Sequence, residues 1–384
     1  MEYVNRKGTN SLKWDALEEE FGDKDLLSMW VADMDFPSVP CAVEALKNHL
    51  DSPLGYYQTP DSYYQAIIDW EKNQHGYKIR KDWIVITTGV VPALFWGVNA
   101  FTSPGDAVMI STPVYYPFMM AAEMTGRTLV KCPLKYENNV FEMDYDLIEK
   151  TIVENNVKVH ILCNPHNPIG RVWTAEELDR LLSICKKYDV MVLSDEIHQD
   201  FINPKLGRSS VAAATVGDYN DIIITMASAS KTFNLAAVES SFTIIPDANN
   251  RQRYNDYLDT INTWEGSPLG QVATESALRG GKEWLQDLLA TIYGNYDYLC
   301  DRFSKELPKA QVAHLEGTYL LWIDFSEYFE TEASMRDFLQ GKCKLALDYG
   351  SQFGDNRFAR CARFNLATSR ENIKEAINRM TSNI

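Results

Sequence analysis

At 384 residues, 45% hydrophobic and 23% charged, the chain can bury at least one large core and is long enough for two unequal domains. A disordered tail, a collagen-like chain and a disulfide-stapled mini-protein are excluded. The 37 Lys and Arg against 53 Asp and Glu give a formal net charge of −16, so no basic surface is available to coat phosphates and nucleic-acid binding is not expected.

Seven cysteines, Cys41, Cys132, Cys163, Cys185, Cys300, Cys343 and Cys361, are scattered and odd in number, without C-x-x-C spacing. They read as reduced, mostly buried thiols of a cytoplasmic protein. The N-terminal run Met1-Glu2-Tyr3-Val4-Asn5-Arg6 is polar and unlike a secretory signal. The most apolar long stretch, 84–101, is broken by Thr87, Thr88, Gly89, Pro92 and Asn99, so no membrane span is expected. His49, His75, His160, His166, His198 and His314 show no H-x-x-x-H spacing, and no metal site is expected.

Between residues 80 and 245, short β-branched runs alternate with helix-period segments, the pattern of parallel strands joined by crossover helices. The runs are 84–87, 107–111, 128–132, 157–163, 190–194, 222–226 and 242–245. The first leads through Thr87-Thr88-Gly89-Val90-Val91-Pro92 into a helix expected over 93–101. Gly89 permits close backbone approach, and the N–H groups of Val90 and Val91 at a helix N-terminus favour a phosphate dianion. Pro92 lacks a donor where its loss is tolerated.

After the run 157–163 comes Asn164-Pro165-His166-Asn167-Pro168-Ile169-Gly170. Such density of Asn and Pro can mean turns alone. At this position Asn167 could instead donate its amide to a cofactor's phenolic oxygen, and a cis peptide before Pro168 would suit the turn. Thr174-Ala175-Glu176-Glu177 is a capping box, and Leu178, Leu181, Leu182 and Cys185 then share one helix face.

The next apolar run is closed by Ser194-Asp195-Glu196-Ile197-His198. A carboxylate at the carboxyl end of a parallel strand stands where open α/β sheets bind ligands, although it could also cap a helix. Thirty-six residues later Ser228-Ala229-Ser230-Lys231-Thr232-Phe233-Asn234 follows a core strand. There Lys231 is either a solvated surface lysine or a desolvated amine of lowered pKa, free to react with a carbonyl. The pair Lys231 and Asp195 suggests pyridoxal 5′-phosphate (PLP), whose protonated ring nitrogen needs an acidic partner. Beyond Arg279 a long amphipathic stretch, apolar runs at 319–325 and 361–366 and a charged final helix read as a smaller α+β unit. No repeat or Gly/Ser linker separates the two units.

Together these segments resemble fold type I PLP enzymes, the aspartate-aminotransferase superfamily. The stretches Asn5-Arg6-Lys7-Gly8-Thr9-Asn10-Ser11-Leu12-Lys13-Trp14-Asp15, Trp30-Val31-Ala32-Asp33-Met34-Asp35-Phe36 and Gly55-Tyr56, with Ser194 to His198, resemble its MalY/PatB branch, chiefly carbon–sulfur β-lyases of the cystathionine β-lyase type. The resemblance implies an α/β fold: a large PLP-binding domain over 45–280 with a mostly parallel seven-stranded sheet, and a small α+β domain from 1–44 and 281–384.

It also implies a site. Lys231 would carry PLP covalently, Asp195 would pair with the ring nitrogen, Asn167 would meet the phenolic oxygen, and Tyr115 would stack on the ring. Ser228, Val90 and Val91 would hold the phosphate, with Tyr56 reaching it from the neighbouring subunit of a homodimer. Arg363 would clamp the substrate α-carboxylate. His198 stands where aminotransferases commonly have tyrosine, as in the lyase branch. Glu239 stands where they commonly have a phosphate-binding arginine, so it must turn away, be protonated or mark a changed backbone. The loop Asp348-Tyr349-Gly350-Ser351 lacks a proline-glycine turn common in relatives.

The implied reaction is α,β-elimination of cystathionine, cysteine or related S-substituted L-cysteines to pyruvate, ammonia and a thiol. The alternatives are an aminotransferase using the same residues, and a binding protein that restrains a transcriptional activator.

Overall fold

The computed structural model describes residues 1–137, 139–263 and 265–384. All seven β-branched runs form strands, and the seven make one sheet. These are β1 (Ile84–Thr87), β2 (Ala107–Thr112), β3 (Thr128–Pro133), β4 (Val157–Cys163), β5 (Met191–Asp195), β6 (Ile223–Ala227) and β7 (Ser241–Ile244). Across the sheet the order is β1-β7-β6-β5-β4-β2-β3. Neighbours run parallel except β7, which is antiparallel to both β1 and β6.

Strands β2, β6 and β7 are buried at every residue, whereas β3 at the sheet edge alternates between exposed and covered positions. Alternate residues serve opposite faces: Val108 and Ile110 join a core with Val90, Leu94 and Val98, while Ala107 and Met109 join the other. Both faces are therefore covered, as expected of a parallel sheet. The capping box at Thr174 and Glu177 starts the helix Ala175–Lys187, whose Leu178, Leu181, Leu182 and Cys185 are fully buried.

The helix expected from Ala93 begins three residues earlier, as Val90–Phe101. Gly89 is its extended N-cap, and Pro92 falls in the first turn, where an N–H has no intrahelical partner. A Cβ at Gly97 would lie 2.9 Å from Leu193 Cδ1, so glycine lets this helix lie close on β5.

A second sheet contains β8 (Gln311–Val312), β9 (Leu320–Asp324), β10 (Asp348–Tyr349) and β11 (Cys361–Asn365) in the antiparallel order β8-β9-β11-β10. The helices Lys282–Glu306 and Arg370–Thr381 pack together beside it. The N-terminal segment is stitched to this sheet: Asn365 Nδ2 donates to the carbonyls of Val31 (2.7 Å) and Asp33 (2.6 Å), and Asp35 N to that of Ala367. Lys13 Nζ and Asp35 Oδ2, both side chains with no exposure, pair at 2.9 Å. Trp14 Nε1 donates to the other oxygen at 2.7 Å.

A second buried pair lies beneath the helix Ala229–Thr232. His75 Nε2 is 3.0 Å from Asp200 Oδ1, and Thr232 Oγ1 donates to Asp200 Oδ2 at 2.6 Å. Burial alone would lower the His75 pKa, but the bond to and charge of Asp200, with Glu71 and Glu196 nearby, outweigh it and raise the value to about 9. Relative to an unfolded value of about 6.5, the pair contributes about 3 kcal/mol that is fully present below pH 6.5 and lost as pH rises through 9. The stability gap between the parent and His75→Gln, read by urea unfolding, should shrink between pH 6.5 and 9.5. A constant gap would contradict this.

The seven cysteines are free thiols, five buried and two partly covered. Among the described residues no helix is long and apolar enough to cross a membrane.

Candidate active site at the strand ends

Parallel β4, β5 and β6 end side by side, with Cys163 opposite Asp195 and Asp195 opposite Met226. The segments that follow them, 164–170, 196–199 and 228–234, therefore emerge at one edge, where open α/β sheets form ligand crevices. Lys231 lies on the short helix Ala229–Thr232 just past β6. Its Nζ donates to the Ala32 carbonyl at 2.6 Å. Burial, helped by the charge of Arg363 and opposed by Asp33 and Asp195, lowers its pKa to about 8. About a tenth of the amine is then neutral at pH 7, against well under a hundredth for a solvated surface lysine.

Asp195, 5% exposed, accepts from Ile197 N at 3.1 Å. Burial raises its pKa to about 7 against the opposing Ile197 N–H and Lys231 charge. No helix follows it, so it is not a helix cap. Three residues on, His198 is held neutral: burial, then the charges of Lys231 and Arg363, lower its pKa to about 3. Its ring meets those of Tyr319 (5.8 Å) and Phe201 (6.1 Å) edge-on.

Asn167 and Tyr115 are tied together by Tyr115 N donating to the Asn167 carbonyl at 3.1 Å, and the peptide before Pro168 is cis. Arg363, on β11, is 2% exposed rather than a surface charge. Its Nη1 donates to Asn167 Oδ1 at 2.9 Å, fixing which end of the amide is oxygen and leaving Nδ2 as the donor end. Its Nη2 pairs with Asp348, and the Phe353 ring lies 5.1 Å away. Tyr319 OH donates to the same Ala32 carbonyl that takes Lys231, at 3.0 Å.

Val90 and Val91 open the helix Val90–Phe101, and no side chain caps its first turn. Ser228 is held in its turn: its hydroxyl donates to the Ser240 carbonyl at 2.7 Å and accepts from Ser230 N at 3.0 Å. Glu239 takes the changed-backbone outcome, with φ 48° in the left-handed region and an exposed side chain. With Thr88, Thr263 and Gly266 it lines a cavity of about 570 Å³. The Tyr56 side chain is fully exposed beside a second cavity of about 610 Å³ that also includes Thr263 and Gly266.

The sequence analysis missed four contributors: the Ala32 carbonyl, Asp33, Tyr319 and Asp348. Trp30 to Phe36 and Asp348 to Ser351 drew attention only through the resemblance, and residue type carries no signal for a backbone carbonyl.

The residues present fit PLP. Asp195 forms no ion pair among the described residues, so a cationic ring nitrogen would compensate its buried charge. His198 Nδ1 and Arg363 Nε are buried without a hydrogen-bond partner among the described residues, which leaves both with bonding capacity to spare.

The chain matches the family model "Aminotransferase class I and II" over residues 24–380. It is 38% identical over 351 residues to "Cystathionine beta-lyase PatB" of Bacillus subtilis (strain 168), covering 91% of this chain and 90% of that one. It is 30% identical over 361 residues to "Protein MalY" of Escherichia coli (strain K12), covering 92% and 90%. Its fold superposes on cystalysin from Treponema denticola, a structure that contains PLP, with a TM-score of 0.95 at 35% identity, covering 100% of this chain and 97% of that one. On the family match and these two relatives, the chain belongs to the aminotransferase class I and II family.

Proposed function

We propose that this protein is a PLP-dependent carbon–sulfur β-lyase that cleaves cystathionine, cysteine or related S-substituted L-cysteines to pyruvate, ammonia and a thiol. The observation that carries the reading is one cluster of mutually interacting groups: a desolvated amine, Lys231, a carboxylate buried without an ion pair among the described residues, Asp195, and a buried guanidinium, Arg363. Similarity to the PatB, MalY and cystalysin proteins supports it.

Lys231 would hold PLP, with Asp195 at its ring nitrogen, Asn167 Nδ2 and His198 at its ring substituents, Tyr115 on its face and Val90, Val91 and Ser228 at its phosphate. PLP, when bound, draws electrons from Cα, which acidifies the Cα proton and lets a β-substituent depart. Arg363 receives the substrate α-carboxylate and sets the orientation of Cα. Lys231 Nζ takes the Cα proton as a positioned base; its lowered pKa suits that task near neutral pH. Asp195 keeps negative charge beside the ring nitrogen and so holds a proton there. Water is the co-reactant that completes the products.

The large unit over 45–280 would supply the PLP groups and the small unit, 1–44 with 281–384, would supply Arg363 and the Ala32 carbonyl. The fully exposed Tyr56 would serve the phosphate of a second copy in a homodimer.

An aminotransferase would use Lys231, Asp195 and Arg363 alike. Purified protein given cystathionine should release pyruvate with no keto acid added. Turnover that requires a keto-acid acceptor, with no thiol released, would replace the lyase reading by the aminotransferase one.

A further inference from the structure

The arginine assigned to the substrate carboxylate already has an acid on it. Asp348 and Arg363 stand directly opposite each other on β10 and β11, and their side chains form an ion pair that is 13% and 3% exposed. A guanidinium can give a carboxylate two parallel bonds along two edges, Nη1–Nη2 and Nε–Nη2, and both edges include Nη2. Nη2 is the nitrogen that Asp348 holds; the Trp30 carbonyl is a further, longer acceptor from it at 3.4 Å. Nη1 is engaged by Asn167 Oδ1, and among the described residues only Nε is left without a partner. Tyr116, 44% exposed, feels the charges of both Asp348 and Arg363, so the pair lies close to a solvent-exposed side chain.

We infer that Asp348 is a specificity-determining residue: a built-in competitor that lowers the affinity of Arg363 for the α-carboxylate of an incoming amino acid. The inference rests on the role given to Arg363 under the proposed function. A ligand carboxylate that takes either edge must share Nη2 with Asp348 or displace it. Two carboxylates then flank one guanidinium in a site with little water, and their repulsion weakens the newcomer. An amine without a carboxylate does not meet this repulsion.

The test uses the full-length protein with its cofactor, as parent, Asp348→Asn and Asp348→Glu. Each is titrated calorimetrically with L-alanine, which has no leaving group, and with ethylamine, which has no carboxylate. Asp348→Asn keeps a hydrogen-bonding side chain but loses the charge, and should bind L-alanine about tenfold more tightly. Ethylamine binding should be unchanged, and Asp348→Glu should stay near the parent. If Asp348 instead merely orients Arg363, Asp348→Asn will bind L-alanine equally well or more weakly, and the inference falls. Failure of the functional reading is seen separately: calorimetry reports the Asp348 effect on carboxylate binding, whereas absorbance of the same samples reports whether PLP is attached.

Discussion

Lys231→Ala should lose C–S elimination by about 10⁴-fold or more, because one substitution removes both the point of cofactor attachment and the base for Cα. The loss should not come from misfolding. Lys231 sits on a four-residue helix at the strand ends, and among the described residues its amine bonds to the Ala32 carbonyl alone. Circular dichroism of the variant should match the parent. Lys231→Arg should fail as fully, since a guanidinium does not give up its proton at working pH. Pyruvate release from cystathionine reads the effect, and a variant with near-normal turnover would end the assignment.

The second large effect is on stability. Lys13 and Asp35 have no solvent exposure, and burial lowers the Lys13 pKa even though Asp35 and Asp33 oppose it. Asp35→Ala leaves Lys13 charged without its partner, or neutral at a cost, and also strips Trp14 Nε1 of its acceptor. The expected loss is about 3–5 kcal/mol in urea unfolding, the range for breaking a buried pair from one side. The double variant Lys13→Met with Asp35→Leu should recover much of it, since an apolar pair of similar volume leaves no stranded charge. A single variant within about 0.5 kcal/mol of the parent would refute the argument. The pair also bears on the site. It anchors the segment whose Ala32 carbonyl receives Lys231, so the single variant should free that amine as well as weaken the fold.

The large sheet was legible because its strands are short runs of branched apolar residues divided by helices that bury one face, and those signals are local. All seven runs became strands of one sheet, with no end displaced by more than one residue. The helix Val90–Phe101 starts at the Val90 and Val91 N–H groups, three residues before the expected Ala93, with Pro92 in its first turn, where a missing N–H costs nothing. Lys231 and Asp195 could be singled out because each follows a core strand directly.

What escaped the sequence was pairing across distance. Nothing local tells that Asp348 opposes Arg363, or that Lys13 meets Asp35; the first follows from strand register and the second from a chain path with no regular pattern. The role of Arg363 came only from family resemblance, and a strand-borne arginine by itself predicts a surface charge. The phosphate role of Ser228 likewise came only from the resemblance; a hydroxyl there can equally close a turn, and its bonds to Ser240 and Ser230 are of that kind.

The central claim is that the Lys231 amine, beside Asp195, carries the aldehyde cofactor. Borohydride reduction of the purified full-length protein, followed by peptide mapping, tests it most directly. The expected result is a reduced pyridoxyl group on the peptide that contains Lys231 and no other lysine modified in comparable yield. Absence of any adduct, or an adduct on a different lysine, would contradict the account.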